Sequence, residues 1–226
     1  MQFTYYGHSC FAVRIKGKNI LFDPFISPNA LASAIDINKI PADYIFLSHG
    51  HEDHIADCIG IAKRTGALVV CSFEIHTWLN NQGITHTHPM NTGGKRTFDF
   101  GTVKCVVAQH SSGLPDGTYG GNPMGFIFIN EERNFYYSGD TALTLDMQLV
   151  PQFSPIDFAV LPIGDNFTMG TADAIQAMHF IQCKRAIGVH YDTFGYIKID
   201  HTQAKLEFEH QNLELLLLSI GETLDI

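Results

Sequence analysis

One short segment, His49-Gly50-His51-Glu52-Asp53-His54, constrains the fold and the chemistry of this chain more than any other. It places three imidazoles and a carboxylate within six positions. It follows the apolar run 44–47, which predicts a buried strand. If that strand continued, alternation would direct His49 and His51 to the same side. Imidazole and carboxylate groups together are ligands that borderline first-row metal ions prefer. The segment therefore predicts a metal site near a strand end.

Three other apolar runs also end in a histidine or an aspartate. The predicted strands 103–109, 135–139 and 186–189 lead directly into His110, Asp140 and His190. Because loops at strand ends commonly carry functional groups, we expect these side chains to complete the site. Five histidines and two aspartates can hold two metal ions about 3.5–4 Å apart with a water between them, and that water has a pKa near roughly 7.

Composition and charge bound the class of protein and its partners. The chain has 226 residues, 45% of them hydrophobic, and a formal net charge of −9 without any basic run. This length fits one large domain or two small halves that share a core, and we expect a single domain over residues 1–226. Phosphate binding needs clustered Lys and Arg, so we expect a small-molecule substrate rather than a nucleic acid or a membrane. A homo-oligomer stays open.

The N-terminus and the cysteines indicate the compartment. The first residues lack a basic segment followed by an apolar stretch, and no apolar run approaches the roughly 20 residues of a membrane span. The five cysteines are widely spaced and odd in number, which predicts buried thiols in a reducing compartment. We therefore expect a cytoplasmic protein.

The order of the predicted elements indicates an α/β protein. Short β-rich runs joined by hairpin turns come first, and later strands alternate with helices predicted at 55–64, 73–80, 171–181 and 202–210. This order favours two sheets packed face to face with helices outside. The segment 111–123, rich in Gly, Ser and Pro, and the segment 194–201 are expected to be loops that shape specificity.

The segment 49–54 resembles the His-x-His-x-Asp-His motif of the metallo-β-lactamase superfamily. His110, Asp140 and His190 match the remaining ligands of that family in order and rough spacing. The resemblance covers nearly the whole chain and is closest to a group of metal-dependent hydrolases, whose marks look like 7–11, 23–25, 164–170 and 190–194 here. More distantly, the chain resembles ascorbate-6-phosphate lactonases and N-acyl-phosphatidylethanolamine phospholipase D.

This resemblance implies a four-layer αββα sandwich with the site at one edge between the sheets. The implied ligands are His49, His51 and His110 for one metal, Asp53, His54 and His190 for the second, and Asp140 as the bridge. We expect two divalent ions. Zinc is favoured, and manganese and iron stay open because no cysteine is among the ligands. Asp53 and His54 are the expected catalytic residues.

Four further residues are candidates for contact with a metal ligand or with substrate: His8, Asp23, Asp165 and Asp192. His8 falls at no ligand position of the family and is not assigned as a ligand. Asp23 either caps the loop before Pro24 or accepts a hydrogen bond from a ligand histidine. Asp165 follows a strand end, and it either contacts substrate or a metal ligand or forms a plain turn. His8 and Asp192 either line the pocket or have a structural role.

The predicted function is that of a metal-dependent hydrolase whose bridging hydroxide attacks an ester-type bond, such as a phosphodiester or lactone, of a small molecule. Two alternatives come from other classes. An RNase Z-like nucleic-acid phosphodiesterase would share the ligands, but the net charge of −9 disfavours it. A non-catalytic metal-binding protein on the same fold is disfavoured by the complete ligand set.

Overall fold

The computed structural model describes residues 1–226, which form two compact units. The first unit contains Met1–Thr92, Ser111–Pro123 and Ser219–Ile226, and the second contains Gly93–His110 and Met124–Leu218. Each unit is built on one seven-stranded mixed sheet and carries its own helices. The predicted pair of sheets with flanking helices is confirmed, and the assignment of the whole chain to one domain stays a prediction. No helix is both long and apolar enough to cross a membrane.

The first unit contains seven strands and three α-helices. The strands are β1 (Gln2–Gly7), β2 (Cys10–Ile15), β3 (Lys18–Phe22), β4 (Tyr44–Phe46), β5 (Leu68–Cys71), β6 (Thr87–Pro89) and the last strand of the chain, β14 (Thr223–Asp225). The helices are α1 (Glu52–Ile55), α2 (Cys58–Thr65) and α3 (Phe73–Asn81). The strand order is β14-β1-β2-β3-β4-β5-β6. Strands β3 to β6 pair in parallel, which the helices in their connections permit.

Local signals in the sequence set the ends of these helices. Helix α2 ends at Gly66, which adopts a left-handed φ of 72° that a glycine reaches without strain. Helix α3 begins after Ser72, whose hydroxyl accepts a hydrogen bond from the backbone N–H of Ile75 at 3.2 Å. Both helices bury their apolar faces with the strand residues Ile45 and Val69. This packing positions the loop that follows β4.

The second unit contains the other seven strands and three further α-helices. The strands are β7 (Lys95–Phe98), β8 (Gly101–Val107), β9 (Met124–Ile129), β10 (Phe135–Tyr137), β11 (Phe158–Pro162), β12 (Arg185–Val189) and β13 (Glu214–Leu216). The helices are α4 (Val150–Phe153), α5 (Thr171–Phe180) and α6 (His201–His210). The strand order is β13-β12-β11-β10-β9-β8-β7, with β10 to β13 parallel.

Each sheet carries a row of stacked, buried phenylalanines on one face. In the first unit the row has one residue from each of β1 to β4 with centroids 4.4–5.7 Å apart: Phe3, Phe11, Phe22 and Phe46. In the second unit the centroids lie 4.5–5.8 Å apart: Phe100, Phe128, Phe135 and Phe158. Burial of each such side chain contributes roughly 1.5–3 kcal/mol, so these rows are a main part of both cores.

The structure differs from the sequence-based expectations at one helix and at two short strands. The helix predicted at 55–64 is present as α2 but begins later, at Cys58, and the separate short helix α1 ends at Ile55. Between the two helices, the backbone N–H of Asp57 donates to the carbonyl of Pro24 at 3.0 Å. The Asp57 carboxylate also accepts hydrogen bonds from the N–H groups of Ile26 at 2.6 Å and Ser27 at 2.8 Å. These distant partners separate α1 from α2. The short strands β6 and β14 were not predicted, since neither has a buried apolar pattern.

The ends of four strands place the predicted ligands. His49, His110 and Asp140 each come three positions after a strand, because β4, β8 and β10 end at residues 46, 107 and 137. His190 directly follows β12, which ends at residue 189. All four residues follow a strand, but only His190 follows its strand directly as predicted. The first histidine belongs to the first unit and the other three residues to the second.

Candidate metal-binding residues

His49 and His51 lie in the loop between β4 and α1. Strand β4 ends at residue 46, so the pair is not part of a continuing strand. The loop nevertheless brings the two imidazoles together, with Nε2 of His49 2.9 Å from Nδ1 of His51. Gly50 separates them, and a Cβ there would lie 3.2 Å from the side chain of Leu114. The glycine thus lets the segment 111–123 pack closely over the histidine pair.

His54, in α1, is oriented by Asp23, which follows β3. Nδ1 of His54 lies 2.9 Å from Oδ2 of Asp23, and both side chains are fully buried. An imidazole whose Nδ1–H donates to a carboxylate presents the lone pair of Nε2, the usual arrangement for a metal-binding histidine. The contact predicted for Asp23 is therefore present, and its role toward a metal stays a prediction.

Ser48 is a residue that the sequence interpretation missed. Its backbone N–H and its hydroxyl donate to the two oxygens of Asp23, at 2.7 and 2.6 Å. The same hydroxyl oxygen lies 2.9 Å from Nδ1 of His49. Its position directly before His49 was the only sequence signal, and serine is too common before a loop for that signal to decide a role.

Asp53 contacts two histidines of the first unit. Its Oδ2 lies 3.0 Å from Nε2 of His8 and 3.9 Å from Nε2 of His54. These three ligand atoms lie within 4.8 Å of one another. His8, which was expected either to line the pocket or to be structural, thus lies directly against a predicted metal ligand.

Ser111 and Ser112 also contact the histidine segment. The hydroxyl of Ser112 accepts a hydrogen bond from the N–H of Gly50 at 3.0 Å, and Oγ of Ser111 lies 3.2 Å from Nε2 of His51. The carbonyl of Ser112 accepts from the N–H of Gly120 at 2.7 Å, which closes the loop. The segment 111–123 is therefore a folded cover over Gly50 and His51.

In the second unit, Asp140 lies between His110 and His190. Oδ2 of Asp140 is 2.9 Å from Nε2 of His190 and 3.8 Å from Nε2 of His110. The ends of β8 and β10 are joined nearby, because the N–H of Gln109 donates to the hydroxyl of Thr141 at 2.9 Å. The three ligands predicted in this unit are thus brought together around one carboxylate oxygen.

Asp165 and Asp192 organise loops of the second unit. Asp192 accepts a hydrogen bond from the N–H of Ile199 at 3.1 Å and pairs with His201 at 2.6 Å, just where α6 begins. Asp165 accepts from the N–H of Asn166 at 2.7 Å. Neither carboxylate hydrogen-bonds to a predicted ligand. Contact of either residue with a substrate stays a prediction.

Strained backbone coincides with the predicted site residues. Nine residues other than glycine have a positive φ, and five of them were singled out from the sequence, with φ between 40° and 63°: His8, Asp23, Asp165, His190 and Asp192. Left-handed conformations cost energy for residues with a Cβ, less so for Asp and His, and are common at functional sites. The fold therefore imposes the conformation that aims these side chains.

The donor atoms in each unit have the spacing of ligands around a cation. Two atoms about 2.1 Å from one tetrahedral metal ion lie about 3.4 Å apart. The pairs in the first unit are 2.9 Å apart for His49 and His51 and 3.9 Å apart for Asp53 and His54. In the second unit, Asp140 forms pairs of 2.9 and 3.8 Å. Imidazole and carboxylate donors at these distances fit divalent metal ions.

Comparison with known proteins agrees with this arrangement. A family model described as a Beta-lactamase superfamily domain matches residues 18–191. The chain belongs to this superfamily. A UPF0173 metal-dependent hydrolase from Christiangramia forsetii is 52% identical over 227 residues, with 100% of both chains covered. The chain is therefore a member of this family of metal-dependent hydrolases.

Solved structures confirm the fold class. Igni18, a metallo hydrolase from Ignicoccus hospitalis, superposes with a TM-score of 0.88 at 30% identity, covering 100% of this chain and 98% of the other. An isothiocyanate hydrolase from Delia radicum gut bacteria gives a TM-score of 0.81 at 19% identity, covering 100% and 99%, and supports the fold alone. The predicted class, the αββα sandwich of the metallo-β-lactamase type, is confirmed.

Proposed function

We propose that this metal-dependent hydrolase uses two metal ions to cleave an ester-type bond, such as a phosphodiester or a lactone, in a small molecule. The observation that carries the proposal is the fully buried contact between Asp23 and His54, at 2.9 Å. Packing in a core does not require carboxylates at both nitrogens of an imidazole, yet Nδ1 of His54 contacts Asp23 and its Nε2 lies near Asp53. That pairing supports a ligand role for His54.

The proposed ligands are those that the family resemblance implies. His49, His51 and His110 would hold the first ion, and Asp53, His54 and His190 would hold the second, with Asp140 as a ligand common to both. Two divalent ions, with zinc favoured and manganese or iron as alternatives, would lower the pKa of a shared water to about 7 and stabilise negative charge on the substrate.

The residues of the chain supply orientation and a proton route. Asp23 fixes Nδ1 of His54, and His8 holds Oδ2 of Asp53. Asp53 and His54 are the proposed catalytic residues because they would hold the second ion at the reaction centre, and another nearby His or Asp would protonate the leaving group. A net charge of −9 supports a small substrate in preference to RNA or DNA.

Metal removal and restoration test this function. The chain is treated with a chelator, dialysed, and supplied with Zn²⁺, Mn²⁺ or Fe²⁺, and its turnover of bis-p-nitrophenyl phosphate and a panel of lactones is measured. We expect activity to vanish with the chelator and to return with one of the ions, and His54→Ala to stay inactive. A chain that purifies without metal and shows no metal-dependent turnover of any substrate would contradict the proposal.

A further inference from the structure

We infer that Ser48 and Asp23 form a single hydrogen-bonded relay that fixes the metal-binding nitrogen of both His49 and His54. The proposed function assigns these histidines to different ions. The inference rests on the proposed function in one consequence only, which is that the two metal positions share one buried support. The relay itself concerns where the protons of Ser48, His49 and His54 lie relative to the Asp23 carboxylate, and all four residues belong to the first unit.

The direction of each hydrogen bond follows from the chemistry of Asp23. A carboxylate only accepts, so the hydroxyl proton of Ser48 points to Oδ2 of Asp23, at 2.6 Å. The hydroxyl oxygen of Ser48 is then an acceptor toward its other neighbour, Nδ1 of His49, at 2.9 Å. The proton of His49 therefore resides on Nδ1, and its Nε2 presents a lone pair.

The second branch of the relay reaches His54 directly. Nδ1 of His54 lies 2.9 Å from the same Oδ2 atom of Asp23, so this imidazole also carries its proton on Nδ1. Its Nε2 faces Oδ2 of Asp53 at 3.9 Å. Nε2 of His49 faces Nδ1 of His51 at 2.9 Å. Both lone pairs are thus aimed at predicted ligands, away from Asp23.

Burial makes the relay effective. Ser48, His49, His54 and Asp23 each expose at most 1% of their surface, so water does not compete for these bonds. The other oxygen of Asp23 accepts the backbone N–H of Ser48 at 2.7 Å, which holds the serine in place. Hydrogen bonds to an ionised acceptor in such surroundings are stronger than neutral ones, and second-sphere partners of this kind commonly change metal affinity 10–100-fold.

The two members of the relay differ in what they support. Ser48 reaches only His49, whereas Asp23 reaches His54 directly and His49 through the serine. Removal of the hydroxyl in Ser48→Ala should therefore release His49 alone. Replacement of the carboxylate in Asp23→Asn should disturb both histidines, because three groups donate to Asp23, and the amide offers them one acceptor oxygen in place of two and turns an N–H toward a group that already donates.

Long-range ¹H–¹⁵N spectra of the full chain with ¹⁵N-labelled histidine test the relay before and after Zn²⁺ is added. In the wild type we expect both His49 and His54 to carry the proton on Nδ1. Ser48→Ala should shift only His49 to a mixture of tautomers, Asp23→Asn should shift both, and Ser48→Thr should restore the wild-type pattern. The exposed Ser33→Ala is the matched control.

Zn²⁺ titration of the same proteins gives the second readout. We expect Ser48→Ala to weaken one Zn²⁺ equivalent by roughly 10–100-fold, Asp23→Asn to weaken both, and Ser33→Ala to weaken neither. A wild-type His49 with its proton on Nε2 overturns the relay, even if the variants fail to fold. So does a Ser48→Ala variant indistinguishable from Ser33→Ala. A wild type with the expected tautomers that binds no metal overturns the proposed function alone.

Discussion

Nε2 of the buried His8 lies 3.0 Å from Oδ2 of Asp53. His8 is in the turn between strands β1 and β2, and Asp53 is in helix α1. The side chain of His8 is fully enclosed, and Asp53 is 25% exposed. The hydroxyl of Tyr5 donates to the carbonyl of His8 at 3.0 Å and helps to hold its left-handed backbone. The fold thus fixes one oxygen of a proposed metal ligand through a residue 45 positions away.

Loss of the His8 contact should weaken metal binding. In His8→Ala, Oδ2 of Asp53 loses its buried donor, and we expect metal affinity to fall roughly 10–100-fold. Calorimetric titration with Zn²⁺ measures this, with the exposed His210→Ala as the control. Equal affinity in both variants would show that His8 has a structural role only.

The two ends of the histidine segment should differ in the ion that they hold. We expect His51→Ala to empty the first metal position before the second, and His54→Ala to do the reverse, because the resemblance assigns them to different ions. Metal content by elemental analysis, combined with Zn²⁺ titration, distinguishes the two. Equal loss of both ions from either variant would mean that the assignment is wrong.

Close packing under His190 should make Gly164 intolerant of any side chain. A Cβ at Gly164 would collide with the carbonyl oxygen of His190 and lie 2.9 Å from Cβ of Ile197. We expect Gly164→Ala to lower the free energy of unfolding by roughly 1–3 kcal/mol, measured by urea denaturation.

Gly60 provides the matched control for that substitution. It lies within helix α2, and nothing stands within 4 Å of a Cβ built there. Because alanine favours a helix interior more than glycine, Gly60→Ala should raise the free energy of unfolding by about 0.5–1 kcal/mol. Destabilisation by both substitutions to the same extent would remove the packing explanation for Gly164.

The cysteines should resist thiol reagents in the folded chain. All five are buried. Burial raises the pKa of the Cys105 thiol to about 12 and that of Cys58 well above its usual value. Since only the thiolate reacts and a raised pKa leaves little of it at pH 8, Ellman's reagent should react only as fast as the chain unfolds. In denaturant all five should react at once, and a rapid reaction of the native protein would contradict this.

Many residues of the candidate site could be predicted from residue order, because they are close together in sequence or follow apolar runs. His49, His51, Asp53 and His54 are close in sequence, and the apolar runs before His110, Asp140 and His190 mark strand ends. Hydrophobic periodicity and turn residues also predicted most elements, including helix α3 and the hairpin of β9 and β10. These features depend on the nearest few residues, which the sequence displays directly.

What the residue order could not show depends on partners far along the chain. The break between α1 and α2 arises from the bonds of Asp57 to Pro24, Ile26 and Ser27. The edge strands β6 and β14 exist because a neighbouring strand offers them hydrogen bonds. By itself the sequence determined which side chains are candidate metal ligands. Only the tertiary structure decided that Asp23 reaches both His54 and Ser48, 25 or more positions away, because such contacts depend on how the strands and helices pack.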